Sequence, residues 1–432
     1  MASQQKPLLL RVWMLVTRCF ALPIIVASWA LHRRMGADPR RFPERLGHDA
    51  LHTSASVVWF HAASLGEVTQ IAPLASHLMS AEKLRILVTT TTATGADWVS
   101  KHMPAAIHRY APIDTPRAVA RFLDGWSISA ALFVEGDLFP RLLDRLDQRG
   151  VPRALLNARH SRTRARFPIV FATLLGRFAF VTCRSGTVAT EMIALGLPAD
   201  RVHVVPDLRL SLPKPTASQE ALSSLSRTVG KRPVWLAAST HPPDETAVLA
   251  AHLKVLETCP DALLIVAPRH PTRGAPLQKL ARSKALTAVQ RSKGKDILAT
   301  TQVYIADTLG ELGVFFSLCP ITFMGGSFGQ EGGHTPYEPI YFDTALVHGP
   351  NVKNFVDAYA ELQNKGAAQQ VKDSAQLGKV ISDLLHGDQA KTMGQAGLAY
   401  VSDSQNCMFV YADLIKDIPA ASNPNQGLRK GP

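Results

Sequence analysis

Along most of this chain, short apolar runs alternate with helical patterns, and this alternation constrains the fold more than any other feature. Such alternation is typical of a parallel β-sheet that is covered by helices. The runs fall into two series, and a segment with three prolines at 206–218 separates them. We therefore predict two similar α/β halves with a ligand cleft between them, beyond the carboxyl ends of the strands. The predicted strands are 57–60, 85–89, 130–134, 153–156, 178–182 and 202–205 in the first series, and 234–238, 262–267, 302–306, 321–324 and 345–347 in the second.

The length of 432 residues fits two large domains, because one domain usually contains about 100–200 residues. A terminal helix is expected at 398–415, and the tail beyond it is rich in Pro, Asn and Gly. Such a tail is expected to be flexible. The predicted segments are an N-terminal membrane-associated helix at 1–35, a first α/β domain at 36–210, a linker at 211–229, a second α/β domain at 230–418 and a flexible tail at 419–432.

The N-terminal segment is almost continuously apolar from 8 to 31, apart from Arg11 and Arg18. These two arginines are seven positions apart and fall on one side of a helix. The uninterrupted apolar part, 19–31, is shorter than the ~20 residues of a comfortable membrane span. We predict an amphipathic helix in a membrane interface, with the arginines at 33, 34, 40 and 41 near anionic headgroups. The alternative is a single span with snorkelling arginines, and a cleaved signal peptide is disfavoured because no small-residue cleavage pattern follows.

The formal net charge of +13 favours anionic partners. A nucleic-acid partner is not expected, because the chain lacks zinc-finger spacing, RNP-like aromatic residues and a long basic helix. The five cysteines stand singly, without a C-x-x-C pair, which fits a reduced, cytosolic setting. No H-E-x-x-H spacing is present, so neither a metal ion nor another cofactor is expected.

Acidic residues follow two strands of the first series. Glu67 ends a short segment after the first strand, where its carboxylate would face the cleft. Ser64 and Glu67 also have the spacing of a capping box, in which Glu67 only satisfies a backbone donor. Glu135 and Asp137 follow the third strand, and acidic residues are costly beside a buried strand unless something uses them. Helix capping is the alternative role for Asp137.

Glycines and basic residues follow strands of the second series. The loop at 323–338 contains five glycines between Gly325 and Gly333, and glycine lets backbone N–H groups approach an anion such as a phosphate. The same loop ends in a capping box from Thr335 to Glu338, with Pro336 at the first helical position, which is also an ordinary helix start. Arg269 follows another strand, and it is either a ligand of a phosphate or an ordinary surface residue.

Three further segments carry polar residues whose role the pattern leaves open. Residues 239–245 and 307–311 follow strands of the second half in the same way as Arg269. The basic cluster at 157–166 is either a solvated face or, in the cleft, a clamp for a phosphorylated acceptor.

Taken in order, these segments resemble the 3-deoxy-D-manno-octulosonic acid (Kdo) transferases of lipopolysaccharide synthesis. The similarity extends from about Arg41 to the final helix, and several motifs recur in the family's order. The matching elements are Arg41 to Gly47, the Ser-x-Gly-Glu element ending at Glu67, Thr89 to Gly95, Glu135 to Pro140, Asn157 to Arg159, Ser239 to His241, Pro268 to Pro271, Asp307 to Leu312, Gly325 to Ser327 and Gly332 to His334.

The resemblance implies a metal-independent, inverting glycosyltransferase of the two-domain B type. Its substrates would be CMP-Kdo and a lipid A precursor, at the cytoplasmic face of the inner membrane, with the first domain binding the acceptor and the second the CMP-sugar. By position in the family motifs, Glu67 would be the catalytic base, and Glu135 and Arg209 would support the transition state. The residues matching the CMP contacts are Pro268, Arg269, Gly310, Glu311, Leu312, Thr335, Pro336, Tyr337 and Glu338.

The chain departs from the family pattern in several places. Gly136 and Asp137 replace Thr and Glu, Arg209 replaces a lysine in a Gly-Ser-Leu-Lys-like element, and Thr335 replaces an Asn. Two alternatives therefore remain open: a diverged paralog that uses another acceptor, and a catalytically silent, membrane-associated glycolipid-binding protein. A nucleotide-sugar epimerase of the same architecture would not need the amphipathic N-terminal segment.

Overall fold

A computed structural model describes residues 6–48, 55–136 and 138–418. These residues form two compact units, one reaching Leu212 and including the chain from Asn406 onward, the other comprising Pro213–Gln405. Each unit contains one parallel sheet of seven strands. The prediction of an α/β fold with two Rossmann-like sheets is therefore confirmed.

Two N-terminal helices, α1 (Leu8–Cys19) and α2 (Ala21–Arg34), replace the single helix that the sequence predicts. The axes of α1 and α2 differ by 81°. Pro23 explains the break, because it has no N–H for the carbonyl of Cys19 and its ring crowds that carbonyl. Within the described part of the chain, no single helix is long and apolar enough to cross a membrane, whereas this bent pair passes that test together.

Helix α1 is attached to the first unit through polar contacts, while most of its apolar side chains are exposed. The indole of Trp13 donates to Asp114 over 2.6 Å, and Arg141 donates to the hydroxyl of Thr17 over 2.8 Å. Exposed large apolar residues include Leu8 and Leu15 on α1, Phe20 between the helices, and Leu22 and Val26 on α2.

The first unit builds its sheet in the order β3-β2-β1-β4-β5-β6-β7. Its strands are β1 (Val57–His61), β2 (Ile86–Thr90), β3 (Ile107–Tyr110), β4 (Ile128–Val134), β5 (Arg153–Ala158), β6 (Phe180–Cys183) and β7 (Val202–Val204). Its further helices up to Leu212 are α3 (Phe42–Arg45), α4 (Leu65–Ser80), α5 (Ala93–His102), α6 (Pro116–Asp124), α7 (Pro140–Gln148), α8 (Arg162–Arg166), α9 (Pro168–Leu175) and α10 (Gly186–Ala194).

Both faces of this sheet are covered, which explains why its strands are apolar without alternation. Trp59 and Phe133 belong to the core on one face, and Phe60 and Leu132 to the core on the other. Strand β3 was not predicted from the sequence, because His108 and Arg109 interrupt its apolar character.

The second unit builds its sheet in the order β10-β11-β9-β8-β12-β13-β14. Its strands are β8 (Val234–Thr240), β9 (Leu263–Pro268), β10 (Ala288–Gln290), β11 (Val303–Ile305), β12 (Ile321–Met324), β13 (Ala345–His348) and β14 (Ala368–Gln370). Its helices are α11 (Gln219–Val229), α12 (Pro242–Thr258), α13 (Gly274–Ser283), α14 (Leu312–Leu318), α15 (Tyr337–Ile340), α16 (Val356–Asn364), α17 (Ser374–His386) and α18 (Gln389–Ser404).

The last helix, α19 (Cys407–Lys416), belongs to the first unit. Tyr411 and Ile415 lie in the same core as Phe60, and the Tyr411 hydroxyl donates to Asn157 over 3.3 Å. The predicted segments thus differ from the structure in three places. The chain returns to the first unit after Gln405 rather than staying in one domain to 418, the helix predicted at 398–415 is split between α18 and α19, and the linker predicted at 211–229 contains α11. The tail at 419–432 lies outside the described residues.

Candidate active site

The predicted acids of the first unit lie at a topological switch point. Strands β1 and β4 are neighbours, and the chain builds the sheet outward from them in opposite directions. Glu67 follows β1, in the first turn of α4, and Glu135 follows β4 directly. The carboxyl edge of a parallel sheet at such a point is where ligands usually bind. The structure therefore places Glu67 and Glu135 at the expected edge.

Glu67 forms the capping box that its spacing predicts. Its carboxylate accepts from the backbone N–H of Ala63 over 2.8 Å and from the hydroxyl of Ser64 over 3.0 Å, while its own N–H donates to Ser64 over 3.4 Å. A carboxylate has about four acceptor positions, and the capping box uses two of them. The box fixes where the Glu67 carboxylate points.

The Thr-rich element after β2 supports this turn. The N–H groups of Thr91 and Thr92 donate to the carbonyl of Ala63 over 2.9 and 3.0 Å. Gly95 packs against the same turn, and a Cβ at that position would lie 3.4 Å from the backbone of Ser64. The motif therefore holds the backbone that carries Glu67.

Glu135 lies at the centre of an ion cluster. Its backbone is in the left-handed region, with φ of 58°, a conformation that non-glycine residues rarely adopt and that often marks a functional site. Its carboxylate accepts from Gln70 over 3.1 Å and is paired with Arg184, with Arg209 over 2.5 Å and with Arg159 over 3.1 Å. Burial opposes ionisation, but Arg184, Arg209 and Arg159 outweigh it and hold the pKa of Glu135 below its usual value.

Asp207 holds two of these arginines, Arg184 and Arg209, in place. It is fully enclosed and contacts Arg184 over 3.3 Å and Arg209 over 3.2 Å. The amide of Asn157, another residue with a left-handed backbone (φ of 58°), donates to Asp207 over 2.9 Å. Although burial alone would raise it, these partners lower the pKa of Asp207 to about 2. The cluster is therefore ionised at neutral pH.

The sequence pattern indicated no role for Gln70, Arg184 or Asp207, although Asp207 lies two positions before the predicted Arg209. Arg184 directly follows β6, as Glu135 follows β4, and a charged residue at a strand end was the available signal. Asp137, the second predicted acid, lies outside the described residues.

In the second unit, the glycine-rich loop after β12 binds an anion that the chain itself supplies. The N–H groups of Gly326, Ser327 and Phe328 donate to the buried carboxylate of Asp244 over 2.7, 3.2 and 3.0 Å. The expectation that backbone N–H groups of this loop receive a phosphate is therefore corrected for these three groups. Asp244, in the first turn of α12, occupies the concave backbone surface that a free anion would use.

Close packing explains the first glycine of this loop. A Cβ at Gly325 would lie 2.6 Å from the carbonyl oxygen of Ser239, so no other residue fits there. Ser239 itself has a φ of 54°. The loop after β12 and the turn after β8 are thus locked together at the switch point of the second sheet.

Three histidines lie close together at this position, where the loop after β12 packs against β8. The Nε2 atoms of His241 and His334 are 2.9 Å apart, and their rings are nearly parallel, with an interplanar angle of 11°. The ring of His270 lies 5.9 Å from that of His241, edge to face. Burial lowers the pKa of His334 to about 4, and the neighbouring His241 and Arg269 act in the same direction.

Pro268 ends β9 and Arg269 follows it, beside this group. The N–H of Arg269 donates to the carbonyl of Thr240 over 2.9 Å, which ties the turn after β9 to the turn after β8. The Arg269 side chain is exposed and acts electrostatically on Glu338: burial raises the pKa of Glu338, and Arg269 opposes that rise. Arg269 is thus an available cation at the carboxyl edge of the second sheet.

The helix predicted after the glycine-rich loop is shorter than expected. Helix α15 begins at Tyr337 and contains a single turn, with Pro336 before it rather than within it. The hydroxyl of Thr335 accepts from the N–H of Tyr337 over 3.4 Å. One turn has few aligned peptide dipoles, so we assign no phosphate-binding role to this helix start.

The turn after β11 carries the remaining predicted contacts. Gly310 has a φ of 80° and is exposed, and Leu312 begins α14. The carboxylate of Glu311 pairs with both ends of the Arg291 guanidinium over 2.6 and 2.5 Å, and this pairing lowers its pKa. A cavity of about 670 Å³ opens beside Glu311 and Arg291. The predicted donor contacts of the second unit therefore lie at the end of β9 or after β9, β11 and β12, along one sheet edge.

Among the described residues, no group of three or more His, Cys, Asp or Glu side chains has the arrangement of a metal site.

The fold is the two-sheet architecture of the glycosyltransferase B type. A glycosyltransferase from Rickettsia africae superposes with a TM-score of 0.57, at 12% identity, covering 84% of this chain and 99% of its own. The family described as 3-deoxy-D-manno-octulosonic-acid transferase matches residues 40–212. A probable mitochondrial Kdo transferase of Arabidopsis thaliana is 31% identical over 80% of this chain and 81% of its own length, and the Kdo transferase of Haemophilus influenzae is 28% identical over 83% and 86%.

The chain belongs to the Kdo transferase family. This confirms the family that the motifs predict and makes the protein a glycosyltransferase.

Proposed function

We propose that this protein transfers Kdo from CMP-Kdo to a lipid A precursor, with inversion at the anomeric carbon. The observation that carries the proposal is the ion pair between Arg209 and Glu135, 2.5 Å long, at the same sheet edge as Glu67. All three residues match the catalytic positions of the family motifs.

In the proposed mechanism, Glu67 is the general base. Its carboxylate takes the proton of an acceptor hydroxyl as the oxygen attacks the anomeric carbon, from the face opposite the departing CMP. The bonds from Ala63 and Ser64 hold the carboxylate in one orientation. Such fixed positioning lowers the activation barrier of the transfer, because the carboxylate does not have to reorient during the reaction.

Glu135 and Arg209 are proposed to stabilise the transition state. The cluster of Glu135, Asp207 and three arginines carries one excess positive charge, since two carboxylates face Arg159, Arg184 and Arg209. A net positive, preorganised cluster favours negative charge that develops nearby. Arg159 is half exposed and is the member best able to contact a phosphate of the acceptor.

The second unit is proposed to bind CMP-Kdo. Arg269 is an exposed cation suited to the phosphate, and the turn from Gly310 to Leu312 and the segment from Thr335 to Glu338 would complete the contacts. Loss of CMP places negative charge on its phosphate, and Arg269 would stabilise that charge.

The N-terminal helices are proposed to attach the protein to the cytoplasmic face of the inner membrane. Leu22 is 76% exposed and Val26 is 66% exposed on α2, and Arg33 and Arg34 follow on the same helix. Apolar burial together with basic residues favours an anionic bilayer surface. Flotation with anionic vesicles should recover the wild type and lose a Leu22→Ser, Val26→Ser variant. Equal recovery of both would contradict this attachment.

The test of the reaction follows CMP release with CMP-Kdo and tetra-acylated lipid A precursor, and determines the new linkage by NMR. Acceptor-dependent release with inverted configuration supports the proposal, and retained configuration contradicts the mechanism. Release only with a different acceptor would favour the diverged paralog. CMP binding without any release would favour the silent glycolipid-binding protein.

A further inference from the structure

The structure contains a pair of histidines, His241 and His334, for which the proposed reaction has so far no use. The two residues are on different loops, after β8 and after β12, at the switch point of the second sheet. A distance of 2.9 Å between their Nε2 atoms requires that one nitrogen carries a hydrogen and the other accepts it. The pair is therefore a single hydrogen-bonded unit.

The backbone holds this unit in place. His241 N donates to Asp244 over 2.9 Å, and the carbonyl of His334 accepts from Tyr359 over 2.9 Å. A Cβ at Gly326 would lie 3.0 Å from the His334 ring, so glycine there lets the ring lie against the backbone. Such fixation by surrounding groups is typical of side chains that must keep one geometry during a reaction.

Charged and titratable groups surround the pair on several elements. Glu331 Oε1 lies 3.9 Å from Nδ1 of His241, and Glu331 opposes the lowering of the His334 pKa to which burial and Arg269 contribute. The groups that face or adjoin the pair are Asp244 of α12, Arg269 and His270 after β9, Glu331 of the glycine-rich loop, Glu338 of α15, Lys353 after β13 and Tyr359 of α16.

We propose that the His241–His334 pair takes up one proton when the phosphodiester of the sugar donor binds beside Arg269, and gives that proton to the phosphate as CMP departs. This inference rests on the proposed donor, CMP-Kdo. The bond between the anomeric carbon and the phosphate oxygen breaks, and its electron pair stays on that oxygen. The phosphate thereby gains a second negative charge, which the proton of the pair neutralises.

The pKa of His334 in the free protein determines that donor binding takes up a proton rather than releasing one. With a pKa of about 4, His334 is neutral at pH 7. An anion bound beside it favours the protonated form and raises the pKa. Binding then takes up a proton wherever the pH lies between the free and the bound pKa.

The experiment is calorimetric titration of the full chain with cytidine 5′-(methyl phosphate), a phosphodiester that does not itself titrate near neutral pH. Binding heats at pH 7 in Hepes and in Tris give the number of protons exchanged. We expect the wild type to take up roughly 0.5–1 proton per ligand, and its affinity to rise by up to about tenfold per pH unit as the pH falls from 8 to 6.

Two variants and a control test whether the histidine pair binds the proton that is taken up. His334→Asn and His241→Asn should each bind with almost no proton uptake and with a flat pH profile, and His334→Asn should lower single-turnover transfer roughly 10²-fold. His386→Asn, which removes a histidine at the end of α17 in the same unit, should behave as the wild type. Thermal melting of each variant reports whether it is folded.

The outcomes separate this inference from the proposed function. Wild-type binding without proton uptake, or uptake that persists in both pair variants, overturns the role of the pair and leaves the donor assignment intact. If the wild type binds neither the probe nor CMP, the proposed donor itself is overturned, and the role of the pair with it.

Discussion

Glu135 accepts a bond from Arg209 over 2.5 Å, although the two residues are 74 positions apart in the chain. The same guanidinium donates to Asp207 over 3.2 Å, so one arginine joins two carboxylates. In the family's Gly-Ser-Leu-Lys-like element a lysine would occupy this position. The replacement of that lysine by arginine is thus accompanied by a buried acid, Asp207, that holds the arginine in place.

Arg209→Met should lower the rate of Kdo transfer by roughly 10²–10³-fold, because it removes a preorganised positive group. Arg209→Lys should retain more activity than Arg209→Met but less than the wild type, since an ammonium lacks the planar fork that reaches both acids. Initial rates at saturating donor measure both effects. Arg177→Met, at a 73% exposed arginine of the same unit, is the matched control. Equal rates for Arg209→Met and this control would remove Arg209 from the mechanism.

Glu67→Gln should lower transfer by roughly 10²–10⁴-fold, the usual contribution of a general base. Glutamine at this position can still complete the capping box, so the fold and the binding of CMP should stay almost unchanged. Transfer rates and CMP titration are the two measurements, and Glu82→Gln, at a surface acid paired with Lys416, is the control. Turnover at the wild-type level would exclude Glu67 as the base.

The fold was predictable because both sheets are buried on two faces, which makes their strands continuous apolar runs such as Val234 to Ala238. The positions of Glu67, Glu135 and Arg269 were predictable because each follows such a run. The partners of these residues were not, since Arg184 and Asp207 meet Glu135 only through the tertiary fold. The role of Asp244 was missed for the same reason. The spacing of residues around Asp244 predicts the start of a helix, but it does not show that the Asp244 carboxylate binds a loop 82 positions away.

Arg269→Met should weaken CMP binding by roughly 10–100-fold, because a hydrogen bond to a charged group is worth about 1.5–3 kcal/mol. The Arg269 side chain is exposed, so the melting temperature should change little. Titration calorimetry with CMP measures the loss, and Arg282→Met, at an exposed arginine of α13, serves as the comparison. An unchanged CMP affinity would place the phosphate elsewhere.

Asp244→Ala should destabilise the second unit by roughly 3 kcal/mol or more, because each buried N–H group left without a partner costs about 1–3 kcal/mol. Four N–H groups depend on this carboxylate, those of Gly326 and Ser327, which are buried, and those of Phe328 and His241, which are partly buried. Thermal melting should show a lower midpoint, while Asp261→Ala, at an exposed acid, should melt as the wild type. A wild-type midpoint for Asp244→Ala would show that the loop does not need its anion.

Stability should depend on pH through Asp207. Its pKa in the folded protein, about 2, is below its ordinary value, so ionised Asp207 stabilises the fold above about pH 4, and this contribution of about 2 kcal/mol is lost as the pH falls toward 2. Asp207→Asn should be less stable at pH 7 and should lose less stability than the wild type between pH 4 and 2. Parallel acid-unfolding profiles of the two proteins would contradict the depressed pKa.

The most direct test of the central claim is the mass of the acceptor after incubation of the detergent-solubilised protein with CMP-Kdo and tetra-acylated lipid A precursor. We predict that the wild type increases the acceptor mass by one or more Kdo units and that Glu67→Gln, incubated for the same short time, gives almost no increase. With both substrates shown to be active, an unchanged acceptor mass with the wild type would contradict the claim that this protein transfers Kdo to a lipid A precursor.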